Sequence, residues 1–162
     1  MPSGELRFED RTSGFAWLMV LAMLAIASAS ASVVAARWAD ERARDREQEL
    51  LRVGDLYARA LAEFNASSPG GEKAYPKTLE LLLEDLRFAG THRHLRILYP
   101  NPLSGKLDWE LVRDADGGII GIRPPQTGEP WRRTPVSLAS CDLPAVHRYR
   151  DWVFTARPIA HP

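Results

Sequence analysis

The residues of this chain best suited to bind a metal or move a proton are its histidines, its single cysteine and a few carboxylates. His92 and His94 stand two apart, while Cys141 and His147 lie far along the chain. Zinc sites draw their ligands from closely spaced pairs, and this pattern lacks them. The spacing therefore predicts no metal site, with the histidines satisfied by neighbours or facing solvent. No serine stands in the glycine-flanked turn of a nucleophile elbow, and no glycine-rich loop precedes a helix to hold phosphate. Glu80, Glu84 and Asp85 fall on the polar side of a short predicted helix, so solvation accounts for them without acid–base chemistry. The expectation is a protein that is not an enzyme, with no catalytic residue and no cofactor.

Composition narrows the partners. Formal net charge is zero, so no overall field draws the chain to nucleic acid or to an anionic surface. A lone cysteine cannot close an intramolecular disulfide, which leaves Cys141 as a buried apolar filler, an intermolecular thiol or a reactive one.

The elements that must position these residues are led by one segment. Phe15 to Ala36 carries no charged side chain and is followed at once by Arg37. A helix of that length crosses a hydrocarbon core of roughly 30 Å. Its first half, FAWLMVLAMLAI, is strongly apolar, and its second, ASASASVVAA, is small. Ala25, Ala27, Ala29 and Ala31, interleaved with Ser28, Ser30 and Ser32, suit close packing between helices. Two other readings stay open. Ala27-Ser28-Ala29 fits a signal-peptide cleavage site, although the preceding Glu5, Arg7, Glu9, Asp10 and Arg11 lack the expected net positive charge. A buried soluble helix would need a larger protein to enclose it. On orientation, Arg37, Arg42, Arg44 and Arg46 crowd the far side of the span, where the positive-inside rule alone would place the cytoplasm.

Trp38 to Glu49 is nearly all charge and alanine, with opposite charges three or four apart at Asp40/Arg44, Glu41/Arg44 and Arg42/Asp45. This predicts a solvated stalk helix. Leu50, Val53, Tyr57, Ala60, Leu61 and Phe64 then recur at spacings of three and four, one buried helical face. With no proline between Phe15 and Ala66, the pattern predicts a continuous helix of about 50 residues that stops at Ser67-Ser68-Pro69-Gly70-Gly71. Beyond it, Thr78 is expected to cap a short helix over LELLLEDL that packs through Leu79, Leu82, Leu83 and Leu86. Pro100 and Pro102 bound a turn to Gly105. Trp109–Arg113 and Ile119–Arg123 flank a glycine-containing loop as a β-hairpin, in which Asp114 and Asp116 are hairpin residues. The stretch to Pro135, with Arg132 and Arg133, reads as a surface loop, and Asp151 to Ala156 as a last extended segment.

Three stretches in this order resemble a type II secretion pseudopilin, within the wider type IV pilin-like family. Gly14-Phe15 before an uncharged span is similar to the prepilin peptidase site, where the family is cut after the glycine and the new N-terminal phenylalanine is methylated. YPKTLELLLED with LRILYPNPLSGKLDWELVRDADGGIIGI resembles the family's globular part, and HRYRDWVF its closing strand. The resemblance implies an α+β, pilin-like fold: a long N-terminal helix, half transmembrane and half amphipathic, packed on a small antiparallel sheet. Its parts would be a leader-like segment (1–14), a transmembrane helix (15–36), a stalk and docking helix (37–66) and a small periplasmic domain (67–162). It also implies a single-pass bacterial inner-membrane protein acting by filament assembly in protein export. Its partners would be other pseudopilins, secretion-system inner-membrane proteins, prepilin peptidase and membrane lipid, and not nucleic acid. The assembly helix would use Phe15, Met19, Ala25, Ala27, Ser28, Ala29, Ser30 and Ala31. Met19 stands where the family usually carries glutamate, the leader is acidic rather than basic, and no acidic cluster matches the calcium loop of the major pseudopilins. The missing glutamate points to a tip-like minor subunit, or to an unprocessed membrane-tethered scaffold or adaptor.

Overall fold

The computed structural model describes residues 12–69 and 73–155, without the side chains of 12, 13 and 29–36. It divides into two units, Met1–Arg42 and Ala43–Pro162. The long helix predicted from the unbroken run of helix formers is present as α1, Thr12–Ala66. It ends where Ser67 and Ser68 turn their hydroxyls back on the last carbonyls, with Ser67 Oγ 2.8 Å from Glu63 O. Such local side-chain bonds compete with helix continuation.

The second unit is built on one face of α1. Leu50, Val53, Tyr57, Ala60, Leu61 and Phe64 are all buried, as the three-and-four spacing requires. They meet Leu82, Leu95, Trp109, Ile119, Ile122, Leu143, Trp152 and Phe154 in one core. Each large side chain so removed from water contributes roughly 1.5–3 kcal/mol. Polar edges of the aromatics are satisfied: Tyr57 Oη and Trp109 Nε1 both donate to the Tyr99 carbonyl, at 3.1 and 2.9 Å. Cys141 packs into the same core, 2% exposed.

The hairpin forms as β1, Glu110–Arg113, and β2, Ile119–Arg123, antiparallel with an irregularity at Val112/Arg113. Its turn is held by Asp114, whose Oδ1 accepts from the Asp116 and Gly118 amides, and Gly117 takes a φ of +80°. Strands β3, Val136–Ser137, and β4, Asp142–Leu143, pair with each other as a separate small sheet. Strand β5, Phe154–Thr155, adds to the other edge of β2, giving the order β1-β2-β5. The architecture is therefore α+β, a long N-terminal helix with a small antiparallel sheet.

Three details depart from the sequence expectation. LELLLEDL makes only a single 3-10 turn, Leu79–Leu82, and Thr78 at its start forms no side-chain cap bond. Leu86, expected in the packing face, is 75% exposed, whereas Asp85, expected on the polar side, is 1% exposed. The stretch 124–135 is a surface loop as expected, with 127–129 and 131–135 exposed, and backbone bonds from Tyr149 N to Gly128 O and from Arg150 N to Gln126 O hold it down. Glu47, in the charged run expected to be solvated throughout, is 4% exposed.

Candidate functional site

The candidate site is the surface of α1 from Gly14 to Ser28. Phe15, Trp17, Leu18, Met19, Val20, Leu21, Met23, Leu24 and Ile26 are between 49% and 70% exposed. On a helix these consecutive positions point in every direction, so the apolar surface is all round rather than a stripe. Among the described residues no helix is long and apolar enough to cross a membrane. The described side chains of this apolar segment run from 14 to 28, short of the ~20 apolar residues a span requires. The rest of the expected span, 29–36, lies outside the described side chains.

The residues expected for processing and assembly all fall on this helix. Gly14 and Phe15 are helical and exposed, and nothing within 4 Å would meet a Cβ added at Gly14. The Gly14–Phe15 peptide is thus enclosed in regular helix. Met19, 49% exposed, presents a thioether on this surface. Ala25, Ala27 and Ser28 are exposed. The Ser28 hydroxyl donates to Leu24 O at 2.8 Å, one turn back on its own helix. Ala29, Ser30 and Ala31 continue the helical backbone, with side chains outside the described residues.

Within the second unit, two polar clusters were not apparent in the sequence. The first centres on Glu47. Its carboxylate accepts from the amides of Trp131 and Arg132, at 2.7 and 3.0 Å, and from the Tyr149 hydroxyl at 2.9 Å. Burial pushes the Tyr149 hydroxyl up to about 12, and the adjacent carboxylate adds to the rise. Glu47 thus ties the loop bearing Arg132 and Arg133 to α1. The Trp131 ring lies under the Arg44 guanidinium, 4.6 Å from its centroid. Arg133 pairs with Glu129 at 3.0 Å, both well exposed.

The second cluster gathers Asp85, His92 and His94, whose ligand-type atoms lie within 4.8 Å of one another. Arg87 clamps Asp85 through Nε to Oδ1 at 2.8 Å and Nη2 to Oδ2 at 2.6 Å. That two-pronged charged bond is the main reason the Asp85 carboxyl sits far below the usual carboxylate range. Arg87 also donates to Ser68 Oγ and Phe64 O, and lies 3.6 Å over the Phe64 ring. His94 Nε2 is 3.2 Å from Asp85 Oδ2, and its ring meets Phe64 edge-on. His92 is exposed, stacked on Phe88 at 4.7 Å. His147 is exposed elsewhere on the surface. Only the two-residue spacing of His92 and His94 hinted at this cluster, because Asp85 reaches it through a chain reversal.

No protein-family model matches this chain, and neither does any of the curated proteins or solved structures compared with it.

Proposed function

We propose that this chain is a non-catalytic, pilin-like filament subunit, anchored in a bacterial inner membrane by residues 15–36 and carrying its α+β domain in the periplasm. The supporting observation is the all-round exposure of the apolar side chains from Phe15 to Ile26. Water penalises such a surface by roughly 25 cal/mol for each Å² left uncovered, so the helix requires lipid or other helices around it. Filament assembly exchanges lipid contacts for helix contacts, and small residues at Ala25, Ala27 and Ser28 allow the backbones to approach. The partners in this reading are pseudopilin-like subunits and inner-membrane proteins of a type II secretion or pilus-like machine, with prepilin peptidase acting at Gly14-Phe15.

Met19 favours a second reading. Without a carboxylate at that position a neighbouring subunit's charged amino terminus has no counter-ion in the bilayer, where an unpaired charge is expensive. A tip subunit that accepts no such neighbour tolerates this loss, and so does a membrane-tethered scaffold that never polymerises.

Mass spectrometry of protein purified from the native membrane separates a processed filament subunit, shaft or tip, from the tethered scaffold. A chain beginning at methylated Phe15 supports the processed subunit, and an intact leader supports the tethered scaffold. A mature start at or beyond Ala31 would contradict both, since the helix would then be a discarded signal.

A further inference from the structure

We propose that Asp85, His92 and His94 form a binding site for a divalent transition-metal ion of the zinc class. Asp85 N bonds to His92 O at 2.9 Å, while His94 N and Leu95 N both bond to Leu82 O, at 2.9 and 2.8 Å. These three backbone bonds fix the start and end of the 85–94 reversal and bring the backbone positions of the three residues together.

The distances suit a small coordination sphere. Zinc holds imidazole nitrogen and carboxylate oxygen at about 2.0–2.2 Å, which places two tetrahedral ligand atoms about 3.3 Å apart. Asp85 Oδ2 and His94 Nε2 already stand 3.2 Å apart. An ion entering between them replaces the shared hydrogen, which in the neutral imidazole moves to Nδ1. His92, within 4.8 Å and exposed, completes the set by a small swing of its ring. The side chains of Asp85 and His94 are buried and His92 alone of the three is exposed, so an ion would enter from the His92 side.

Arg87 shapes the affinity and the choice of ion. Each carboxylate oxygen offers two lone pairs, so Arg87 can occupy one on Oδ1 and one on Oδ2 while another on Oδ2 faces His94. Held itself by Ser68 and Phe64, Arg87 orients the carboxylate in the manner of the outer-shell partners of metal ligands. Its positive charge opposes any cation. The site therefore disfavours magnesium and calcium, which bind through charge and oxygen alone, and favours ions that bond imidazole strongly.

The test is titration of the full chain in detergent micelles with zinc followed by calorimetry, and with cobalt(II) followed by its visible absorption. His92→Ala is the decisive variant, because His92 is exposed and its loss leaves the Asp85–Arg87 clamp in place. The wild-type chain and His147→Ala are expected to bind a single ion with equal affinity, and zinc is expected to raise their unfolding temperature. His92→Ala should weaken binding by about tenfold or more and shrink the zinc-dependent shift while keeping the metal-free unfolding temperature. Absence of zinc binding to the wild type would overturn the proposal. Binding unchanged in His92→Ala, or lost in His147→Ala, would do the same.

Discussion

Gly54 on α1 lies directly beneath the ring of Phe154 on β5, so closely that a Cβ added at Gly54 would come within 2.2 Å of Phe154 Cδ1. The ring is fully buried and its strand is paired to β2, so neither partner has free room to retreat. The one glycine between the apolar span and the helix end is thus a packing requirement rather than a hinge. Gly54→Ala gains about 1 kcal/mol of helix propensity and is expected to lose more than that through overpacking, which costs about 1–3 kcal/mol. Urea unfolding of the variant should show net destabilisation. Combining it with Phe154→Leu should recover part of the loss, since the two substitutions share one contact.

Glu47→Ala is expected to destabilise the second unit by about 2–3 kcal/mol, because two backbone amides and the Tyr149 hydroxyl would lose a charged acceptor. Glu47→Gln keeps a carbonyl acceptor and should cost less. Limited proteolysis reads this locally: cleavage within 127–135 should accelerate in Glu47→Ala before the rest of the domain becomes sensitive.

Arg87→Ala would leave the Asp85 carboxylate buried without its main partner. Breaking a buried ion pair from one side costs about 3–5 kcal/mol, and that is the loss expected in thermal unfolding. Arg87→Lys should rescue only part of it, because an ammonium cannot span both oxygens and also reach Ser68 and Phe64.

Alkaline pH should weaken the domain for a defined reason. Burial raises the hydroxyls of Tyr57 and Tyr149 to about 12, whereas an unfolded tyrosine titrates near 10. The folded state therefore keeps protons that the unfolded state releases. Their stabilisation is complete below pH of about 10 and is lost as pH climbs towards about 12. Denaturant unfolding across that window should show stability falling with pH. Tyr149→Phe should be less stable at neutral pH yet show a shallower fall.

How much of this was legible depends on how each element is encoded. The helix and its buried face were readable because Leu50, Val53, Tyr57, Leu61 and Phe64 repeat at the helical period over many turns. The β1–β2 hairpin was readable because its strands alternate around Asp114 and Gly117. LELLLEDL misled because leucine spacing predicts a helix, whereas Asp85 turns inward to Arg87 and bonds its amide to His92 O, ending the turn early. Strands β3 and β4, two residues each, are too short to carry a period. Glu47 looked like every other charge in its run, because its role comes from partners more than 80 positions away.

In the proposed function the apolar surface between Phe15 and Ile26 is covered by a membrane. Alkaline carbonate extraction of cell membranes containing the untagged full chain, with the mass of the recovered protein, tests it most directly. The account predicts recovery in the membrane pellet with residues 15–36 intact. Recovery in the soluble fraction with those same residues still attached would contradict it.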